Sequence, residues 1–231
     1  MASKIQLREK LTVSMADHLP KRSEWGRIAE RLRRIDVYRR ARRVFVGPAD
    51  ILSQIRLNVL MDGKELIMPS PSLKEGFFLC RPGAIPFTER RFAVSFKGLA
   101  KFGEKLGPDD FSALDVGLFV TDVLAWDRLG NRLGDGGGFF DLSWALLQTL
   151  GAVSGRAAVF GVAGRGQCVD LVPVDPWDVK MNGMITEEGI DVFANDQVRG
   201  SLFWEQLPAK RIRKISLLWK LSKTIVNSRL V

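Results

Sequence analysis

The sequence predicts an α/β protein in which a mainly parallel sheet lies between layers of helices. Apolar runs of strand length at 116–126 and 157–162 are typical of strands that are buried on both faces. Segments with apolar residues at helical spacing, at 27–43 and 139–150, alternate with such runs along the chain. This alternation favours a parallel sheet whose strands are joined by helical crossovers.

Composition and length limit the class of protein. The 231 residues include 35 Lys and Arg against 26 Asp and Glu, and 46% are hydrophobic, which is typical of a globular chain with a sizeable core. One histidine, His18, and two distant cysteines, Cys80 and Cys168, argue against a zinc site and a disulfide framework. No export signal and no apolar run of ~20 residues is recognised, so we expect a cytoplasmic protein.

The first part of the chain predicts a helix, a strand and a hairpin, in that order. The apolar spacing predicts one helix over 27–43, with its arginines facing solvent. A short apolar run predicts a strand over 44–46. Two further runs, 57–61 and 65–68, flank an Asp-Gly pair at 62–63 that favours a tight turn, so we predict a β-hairpin there.

The second part alternates between helical and extended patterns. Prolines, glycines and serines scattered over 70–92 predict a loop, and 96–106 has the spacing of a helix. The strand at 116–126 is followed by a glycine-rich turn and the helix at 139–150. Extended segments are then predicted at 157–162, 169–172, 185 and 190–193.

Positive charge is concentrated at the two ends of the chain. The net charge is +8 over 1–56, −6 over 57–198 and +7 over 199–231. Basic surfaces of this kind suit a nucleotide, RNA or membrane phosphate, or they form only a solvated face. No RNA-binding aromatic motif accompanies the arginines, so we predict no nucleic-acid partner.

The basic tail combines its cations with apolar residues at helical spacing, which is typical of an amphipathic helix. Such a helix can lie on a membrane surface or pack on the protein. We favour packing and predict no membrane contact. The expected organisation is a single domain over 1–208 with an amphipathic extension over 209–231 packed on it.

The strongest chemical signal is a glycine-rich loop between a predicted strand and a predicted helix. The loop and its flanks comprise Arg132, Leu133, Gly134, Asp135, Gly136, Gly137, Gly138, Phe139, Phe140 and Asp141. Glycines let the backbone approach an anion, and the following helix N-terminus adds a positive dipole end. Arg132 can pair with phosphate oxygens, and Asp141 is a carboxylate of the kind that binds Mg²⁺. The alternative is a turn with a purely structural role.

These residues resemble the arginine, glycine-rich, paired-aromatic and aspartate signature of 5-formyltetrahydrofolate cyclo-ligase, also called methenyltetrahydrofolate synthetase. The segments 4–8, 177–186 and 200–204 are similar to other motifs of that family, in the same order. Two further segments, 64–77 and 141–154, look more like the branch of synthetase-domain-containing proteins. The resemblance therefore covers nearly the whole chain.

The resemblance implies a Rossmann-like three-layer fold of the NagB/RpiA/CoA transferase type. It also implies the ATP- and Mg²⁺-dependent cyclisation of 5-formyltetrahydrofolate to 5,10-methenyltetrahydrofolate, in which the formyl oxygen takes the γ-phosphoryl group. No His or Cys nucleophile is needed, because phosphoryl transfer depends mainly on positioning and charge neutralisation. The implied partner is a reduced folate, bound by a monomer or a homodimer.

The resemblance also assigns roles to residues of this sequence. Lys4 and Arg8 would contact the ATP phosphates, and Asp141 would hold Mg²⁺ and, with Arg132, act in catalysis. The phosphates would be cradled by Arg132, Leu133, Gly134, Asp135, Gly136, Gly137, Gly138, Phe139 and Phe140. Phe140 and Asp50 would contact the folate.

Several positions depart from the family pattern. Leu142 stands where the family usually has an arginine, Trp177 where it has a histidine, and Asn182 where it has an aspartate. Phe139 and Phe140 replace two tyrosines, which keeps the stacking but loses two hydroxyl groups. The alternative hypothesis is therefore a nucleotide- or folate-binding relative without cyclo-ligase turnover.

Overall fold

The computed structural model describes residues 3–14, 19–194 and 200–228, so His18 lies outside the described residues. The strands are β1 (Arg43–Val46), β2 (Glu65–Pro69), β3 (Phe77–Cys80), β4 (Glu104–Lys105), β5 (Val116–Asp122), β6 (Ala125–Trp126), β7 (Arg132–Leu133), β8 (Val153–Val162), β9 (Gly183–Ile185) and β10 (Ile190–Val192). The helices are α1 (Lys4–Ser14), α2 (Trp25–Arg33), α3 (Asp36–Arg40), α4 (Ser53–Met61), α5 (Arg90–Ala93), α6 (Phe96–Phe102), α7 (Phe139–Thr149), α8 (Ala209–Lys214) and α9 (Ser216–Ser228).

Eight strands form one sheet in the order β10-β9-β8-β5-β1-β2-β3-β4, and β6 pairs with β7 in a separate antiparallel ribbon. The five central strands, β9, β8, β5, β1 and β2, run parallel to one another. The outer pairs at both edges are antiparallel. The prediction of a mainly parallel sheet is confirmed.

Both faces of the sheet are buried because successive side chains of each strand enter different cores. On one face, Phe45 and Phe119 pack in a cluster that includes residues of α7, α8 and α9. On the other face, Val46 and Val120 pack in a cluster that includes residues of α2, α4 and α6. Helices on both faces give the three-layer arrangement, and the α/β fold class is confirmed.

The predicted hairpin over 57–68 is wrong. Residues 53–61 form helix α4, and the strand that follows, β2, runs parallel to β1. Helix α4 is buried almost all round, so its apolar run lacks the amphipathic period that separates a helix from a strand. The Asp-Gly pair ends the helix instead of turning a hairpin, with Gly63 at a φ of 74° as is common after a helix C-terminus.

Other boundaries also differ from the predictions. The predicted helix over 27–43 is two helices, α2 and α3, and the loop predicted over 70–92 contains β3. The apolar run at 116–126 divides into β5 and β6, and 96–106 divides into α6 and β4. Residues 169–172 form no strand, although the Val169 amide donates a hydrogen bond to the Trp126 carbonyl at 2.8 Å.

Two arginines of α2 have structural contacts. Arg31 donates to the backbone carbonyls of Thr186, Glu187 and Glu188, in the turn between β9 and β10. The Arg33 guanidinium pairs with the carboxylate of Asp62, the residue that follows α4. This part of the basic N-terminal segment therefore stabilises the fold.

The C-terminal helices lie against the sheet. Ile215, Leu217 and Leu218 are buried in the same cluster as Phe119. The division into a domain over 1–208 and an extension stays a prediction. No helix in the described ranges is both long and apolar enough to cross a membrane.

Candidate functional site

A cavity of about 260 Å³ lies where β1 and β5 end. These strands are parallel neighbours, so their carboxyl ends open at one edge of the sheet, where ligands of α/β proteins commonly bind. The walls of this cavity include the aromatic residues Phe45, Phe96, Phe139 and Phe140. We call it cavity 1.

A second cavity of about 590 Å³, cavity 2, adjoins the first. The part of its wall that is not shared with cavity 1 carries the rings of Trp177 and Phe203 and the side chain of Arg211. The centroids of the two rings are 5.9 Å apart. The two cavities share six lining residues: Lys4, Arg8, Gly136, Gly138, Asp141 and Asp178. The glycine-rich loop and the start of α7 therefore stand at the junction of the cavities.

The loop has the backbone conformation that its glycines predict. Gly136 and Gly138 have φ angles of 98° and 60°, which residues with a side chain rarely adopt. The Asp135 carboxylate accepts a hydrogen bond from the Gly137 amide at 2.8 Å. A Cβ atom at position 136 would lie 3.4 Å from Nε of Arg8, so this basic side chain lies directly beside the loop backbone.

Arg132 and Asp141 form an ion pair beside the loop. The same carboxylate oxygen, Oδ1, also accepts from the Val179 amide at 2.9 Å. The Arg132 side chain is only 4% exposed, and its guanidinium carbon lies 4.6 Å from the centroid of the Phe140 ring. Its buried Nε has no hydrogen-bond partner among the described residues, a feature that calls for a ligand or solvent acceptor.

Helix α1 brings two cations to the junction. The Lys4 ammonium pairs with Asp175 at 2.7 Å and with Asp178. The Arg8 guanidinium donates from Nε to the Gly134 carbonyl at 2.9 Å. The structure thus brings Lys4, Arg8, Arg132 and Asp141 together, from segments more than a hundred residues apart.

Three predicted site residues lie away from the cavities. Leu133 is fully buried in a small cluster with Leu11, and Gly137 lines neither cavity. Asp50 is exposed after the end of β1 and also lines neither cavity. The proposed folate contact of Asp50 therefore has no support from its position.

Asp122, which ends β5 and lines cavity 1, is not among the site residues predicted from the sequence. Burial raises the pKa of its carboxyl above the usual range, and the charge of Asp135 raises it further. Arg132 and Arg56 oppose this shift, and burial lowers the pKa of the Arg56 guanidinium to about 10. No local signal marked it, because it lies inside the apolar run predicted as a strand over 116–126.

Asp122→Asn is expected to raise the melting temperature at pH 7, because the folded protein no longer holds an ionised carboxylate in a buried site. A carboxyl whose pKa is raised by folding stabilises the fold fully below its unfolded pKa, about 3.9. That contribution is lost as the pH rises through the folded pKa. The gain in the variant should therefore shrink as the pH falls towards about 4.

Thermal melts of the wild type and the variant between acidic and neutral pH measure this effect. Asp170→Asn is the matched control, since Asp170 is exposed and lies outside both cavities. Its melting temperature should follow that of the wild type at every pH. A lower melting temperature for Asp122→Asn than for the wild type at pH 7 would contradict the assignment.

The departures from the family pattern differ in their positions. Leu142 is 7% exposed and lines cavity 2, so an apolar side chain stands there. Trp177 lines the same cavity with its ring. Asn182 lines neither cavity, and its Oδ1 accepts a hydrogen bond from the Val159 amide at 2.8 Å, which ties it to β8.

The chain was compared with known protein families. The model of the 5-formyltetrahydrofolate cyclo-ligase family matches residues 1–187. The chain belongs to this family. Its resemblance to the synthetase-domain-containing branch is also found, because the human methenyltetrahydrofolate synthase domain-containing protein is 28% identical over 195 residues.

That match covers 82% of this chain and 50% of the human protein, so the chain spans half the length of that relative. The 5-formyltetrahydrofolate cyclo-ligase of Escherichia coli K12 is 35% identical over 75 residues, or 32% of this chain and 37% of that enzyme. The solution structure of Aquifex aeolicus 5,10-methenyltetrahydrofolate synthetase superposes with a TM-score of 0.53 at 21% identity, over 88% of this chain and 99% of the other. This structural likeness supports the fold.

Proposed function

We propose that the protein catalyses the ATP- and Mg²⁺-dependent cyclisation of 5-formyltetrahydrofolate to 5,10-methenyltetrahydrofolate. The observation that carries this proposal is the junction of two cavities at the glycine-rich loop, with Asp141 in the wall of both. A reaction between a nucleotide and a second substrate needs two adjoining sites, with charged groups where they meet. Membership of the cyclo-ligase family supports the same class of reaction.

Cavity 2 suits the nucleotide. It is the larger cavity, and the rings of Trp177 and Phe203 can stack on a purine. The loop glycines and the N-terminus of α7 adjoin it and favour the phosphates. Lys4 and Arg8 line the same wall and can neutralise the phosphate charge.

Cavity 1 suits the folate. Phe45, Phe96 and Phe140 offer apolar surface for the pterin ring. The Asp122 carboxyl can bind the polar edge of that ring, since it lies in the same wall. The formyl group would then face the junction, where the nucleotide phosphates end.

Asp141 fits the magnesium ion as a single carboxylate ligand. Within the described ranges no group of three or more His, Cys, Asp and Glu side chains could hold a metal ion. Mg²⁺ commonly binds one or two carboxylates together with waters and phosphates, so Asp141 is sufficient protein equipment. When bound, the ion would draw negative charge away from the phosphates during transfer.

The chain's own groups would then position the reactants. The formyl oxygen attacks the γ-phosphorus and ADP leaves. N10 of the folate then attacks the formyl carbon and loses its proton to solvent, and the carbon–oxygen bond breaks to release phosphate. Arg132, whose buried Nε lacks a protein acceptor in the described structure, can donate to the transferring group. Its stacking on Phe140 fixes the plane of the guanidinium in the wall of cavity 1, beside Asp141.

One observation favours a second candidate, a nucleotide- or folate-binding protein without turnover. Leu142 is buried and apolar in the wall of cavity 2, next in sequence to Asp141, so no charged side chain at this position helps to neutralise the phosphates. Binding needs less charge neutralisation than phosphoryl transfer.

An absorbance assay and calorimetry separate the two candidates. Purified protein with 5-formyltetrahydrofolate, ATP and MgCl₂ should develop the methenyl-folate absorbance band, and omission of ATP should prevent it. Binding of ATP or 5-formyltetrahydrofolate in the calorimeter, without product at high protein concentration, would favour the second candidate. Failure to bind either ligand would overturn both.

A further inference from the structure

Arg211 reaches the glycine-rich loop from a part of the chain that the family model does not match. That match ends at residue 187, whereas Arg211 lies in α8, at Ala209–Lys214. Its Nη2 donates to the Gly137 carbonyl at 2.5 Å, and its guanidinium carbon lies 5.0 Å from the centroid of the Phe139 ring. The C-terminal segment therefore contributes a cation to the wall of cavity 2.

Two other basic side chains around the cavities are paired with carboxylates. Lys4, which lines both cavities, is held by Asp175 and Asp178, and Arg132, which lines cavity 1, is held by Asp141. Arg8, in the wall of both cavities, donates to the Gly134 carbonyl. Arg211 forms no ion pair with a carboxylate in the described part of the chain, and its side-chain hydrogen bond goes to a neutral carbonyl. Among the described residues, its positive charge thus has no bonded anion.

Burial adds to this imbalance. It lowers the pKa of the Arg211 guanidinium, although the more distant charges of Asp135 and Asp141 oppose the shift. A cation that has lost part of its hydration without gaining a paired anion costs free energy in the ligand-free protein. An anionic ligand in the cavity would offset that cost.

The guanidinium also has donors to spare. An arginine carries five N–H donors in a planar fork, and one of them is used at Gly137. The contact with the Phe139 ring fixes the plane of the fork without using a donor. Gly138, with a φ of 60°, lies beside the same guanidinium, since a Cβ atom there would lie 3.8 Å from Nη1 of Arg211.

We propose that Arg211 binds the polyphosphate of the nucleotide in cavity 2, so that the C-terminal helix α8 completes the phosphate site. This inference rests on the nucleotide binding that is part of the proposed function. It adds that Arg211, which lies outside the segment matched by the family model, makes the affinity for a nucleotide depend on its number of phosphates. Arginine suits this role because its fork matches phosphate oxygens.

Calorimetric titrations of the full chain with Mg-ATP and with AMP test the inference. Arg211→Ala should weaken ATP binding by about 10- to 100-fold, the range expected for the loss of hydrogen bonds to a charged group. AMP should bind the variant as it binds the wild type, because its single phosphate does not extend along the loop. Arg211→Lys should fall between the two, since it keeps the charge and loses the fork.

Arg213→Ala is the matched control, because Arg213 is exposed on the same helix and lines neither cavity. It should bind both nucleotides like the wild type. Equal ATP affinity in Arg211→Ala and the wild type would overturn the inference and leave the proposed function standing. Equal losses for ATP and AMP would also overturn it, since they would indicate a structural role at the loop.

Two further outcomes are decided by the same experiment. A wild type that binds no ATP would overturn the proposed function and the inference together. Should Arg211→Ala not fold, as seen by near-ultraviolet circular dichroism, Arg211→Lys carries the test. In that case, the inference would be overturned if Arg211→Lys had the ATP affinity of the wild type and the same ratio of ATP to AMP affinity, because the guanidinium fork would then contribute nothing to phosphate binding.

Discussion

Asp141→Asn should lower the rate of methenyl-folate formation by about 100-fold or more, a size typical of losing a charged group that stabilises phosphoryl transfer. The carboxylate stands at the junction of both cavities and is paired with Arg132. Asparagine keeps the shape and an acceptor for the Val179 amide, but it has no charge for the ion or for the arginine. The absorbance assay at saturating ATP and folate measures the effect.

The dependence on magnesium makes this test specific. In the wild type, Mg²⁺ should strengthen ATP binding, and in Asp141→Asn that gain should be small, because the proposed protein ligand has lost its charge. Asp170→Asn, an exposed change outside both cavities, should keep the wild-type rate and the same response to magnesium. An active Asp141→Asn protein, within about threefold of the wild-type rate, would remove the residue from the mechanism.

The glycine-rich loop was predictable because its signal is local. Gly136 and Gly138 have the positive φ angles that favour glycine, and the helix that follows begins at Phe139 as the apolar spacing predicts. The pairing of Arg132 with Asp141 is also short in sequence, nine residues apart. The assignment of these residues to a phosphate site stays a prediction.

The segment around α4 was not predictable from periodicity. Its residues 55–60 are all buried, so the apolar run carries no period that distinguishes a helix between the sheet and other helices from a strand in the sheet. Asp62-Gly63 is equally suited to a hairpin turn and to a helix end. The parallel pairing of β2 with β1, a long-range contact, decided between them.

Arg211 and Asp122 were missed for a related reason. The sequence predicts the tail around Arg211 only as an amphipathic helix packed on the protein, and the hydrogen bond of Arg211 to Gly137 places it against the loop. Asp122 follows an apolar run that continues to Trp126, so it looks like an interruption within a strand. Tertiary contacts give both residues their position at the cavities, and no local pattern reports them.

Asp127 links the ribbon of β6 and β7 to the rest of the site. Its carboxylate is fully buried, and Oδ1 accepts from the amides of Leu129 and Asn131, both at 3.0 Å. Oδ2 accepts from Nδ2 of Asn131 and from the Val172 amide, both at 2.9 Å. One side chain thus closes the turn that leads into Arg132 and ties that turn to a segment 45 residues away.

Asp127→Ala should therefore lower the free energy of unfolding by about 3 kcal/mol or more, because four donors, one buried and three partly buried, lose a charged acceptor at once. Asp127→Asn should be less harmful but still destabilising, since its amide NH₂ would face two donors. Urea unfolding followed by tryptophan fluorescence measures both variants, with Asp170→Asn as the exposed control. A value for Asp127→Ala within about 0.5 kcal/mol of the wild type, the range of ordinary surface changes, would show that this carboxylate does not hold the turn.

Asp127→Asn also connects the stability of the turn with the proposed chemistry. Because the turn fixes β7, its loosening should displace Arg132 from Phe140 and from Asp141 before the whole protein unfolds. At a temperature where Asp127→Asn is still folded, its methenyl-folate rate should fall more steeply than its affinity for AMP, since we propose that AMP binds through the rings of cavity 2. Equal losses in rate and AMP affinity would mean that the turn supports the whole loop rather than the position of Arg132.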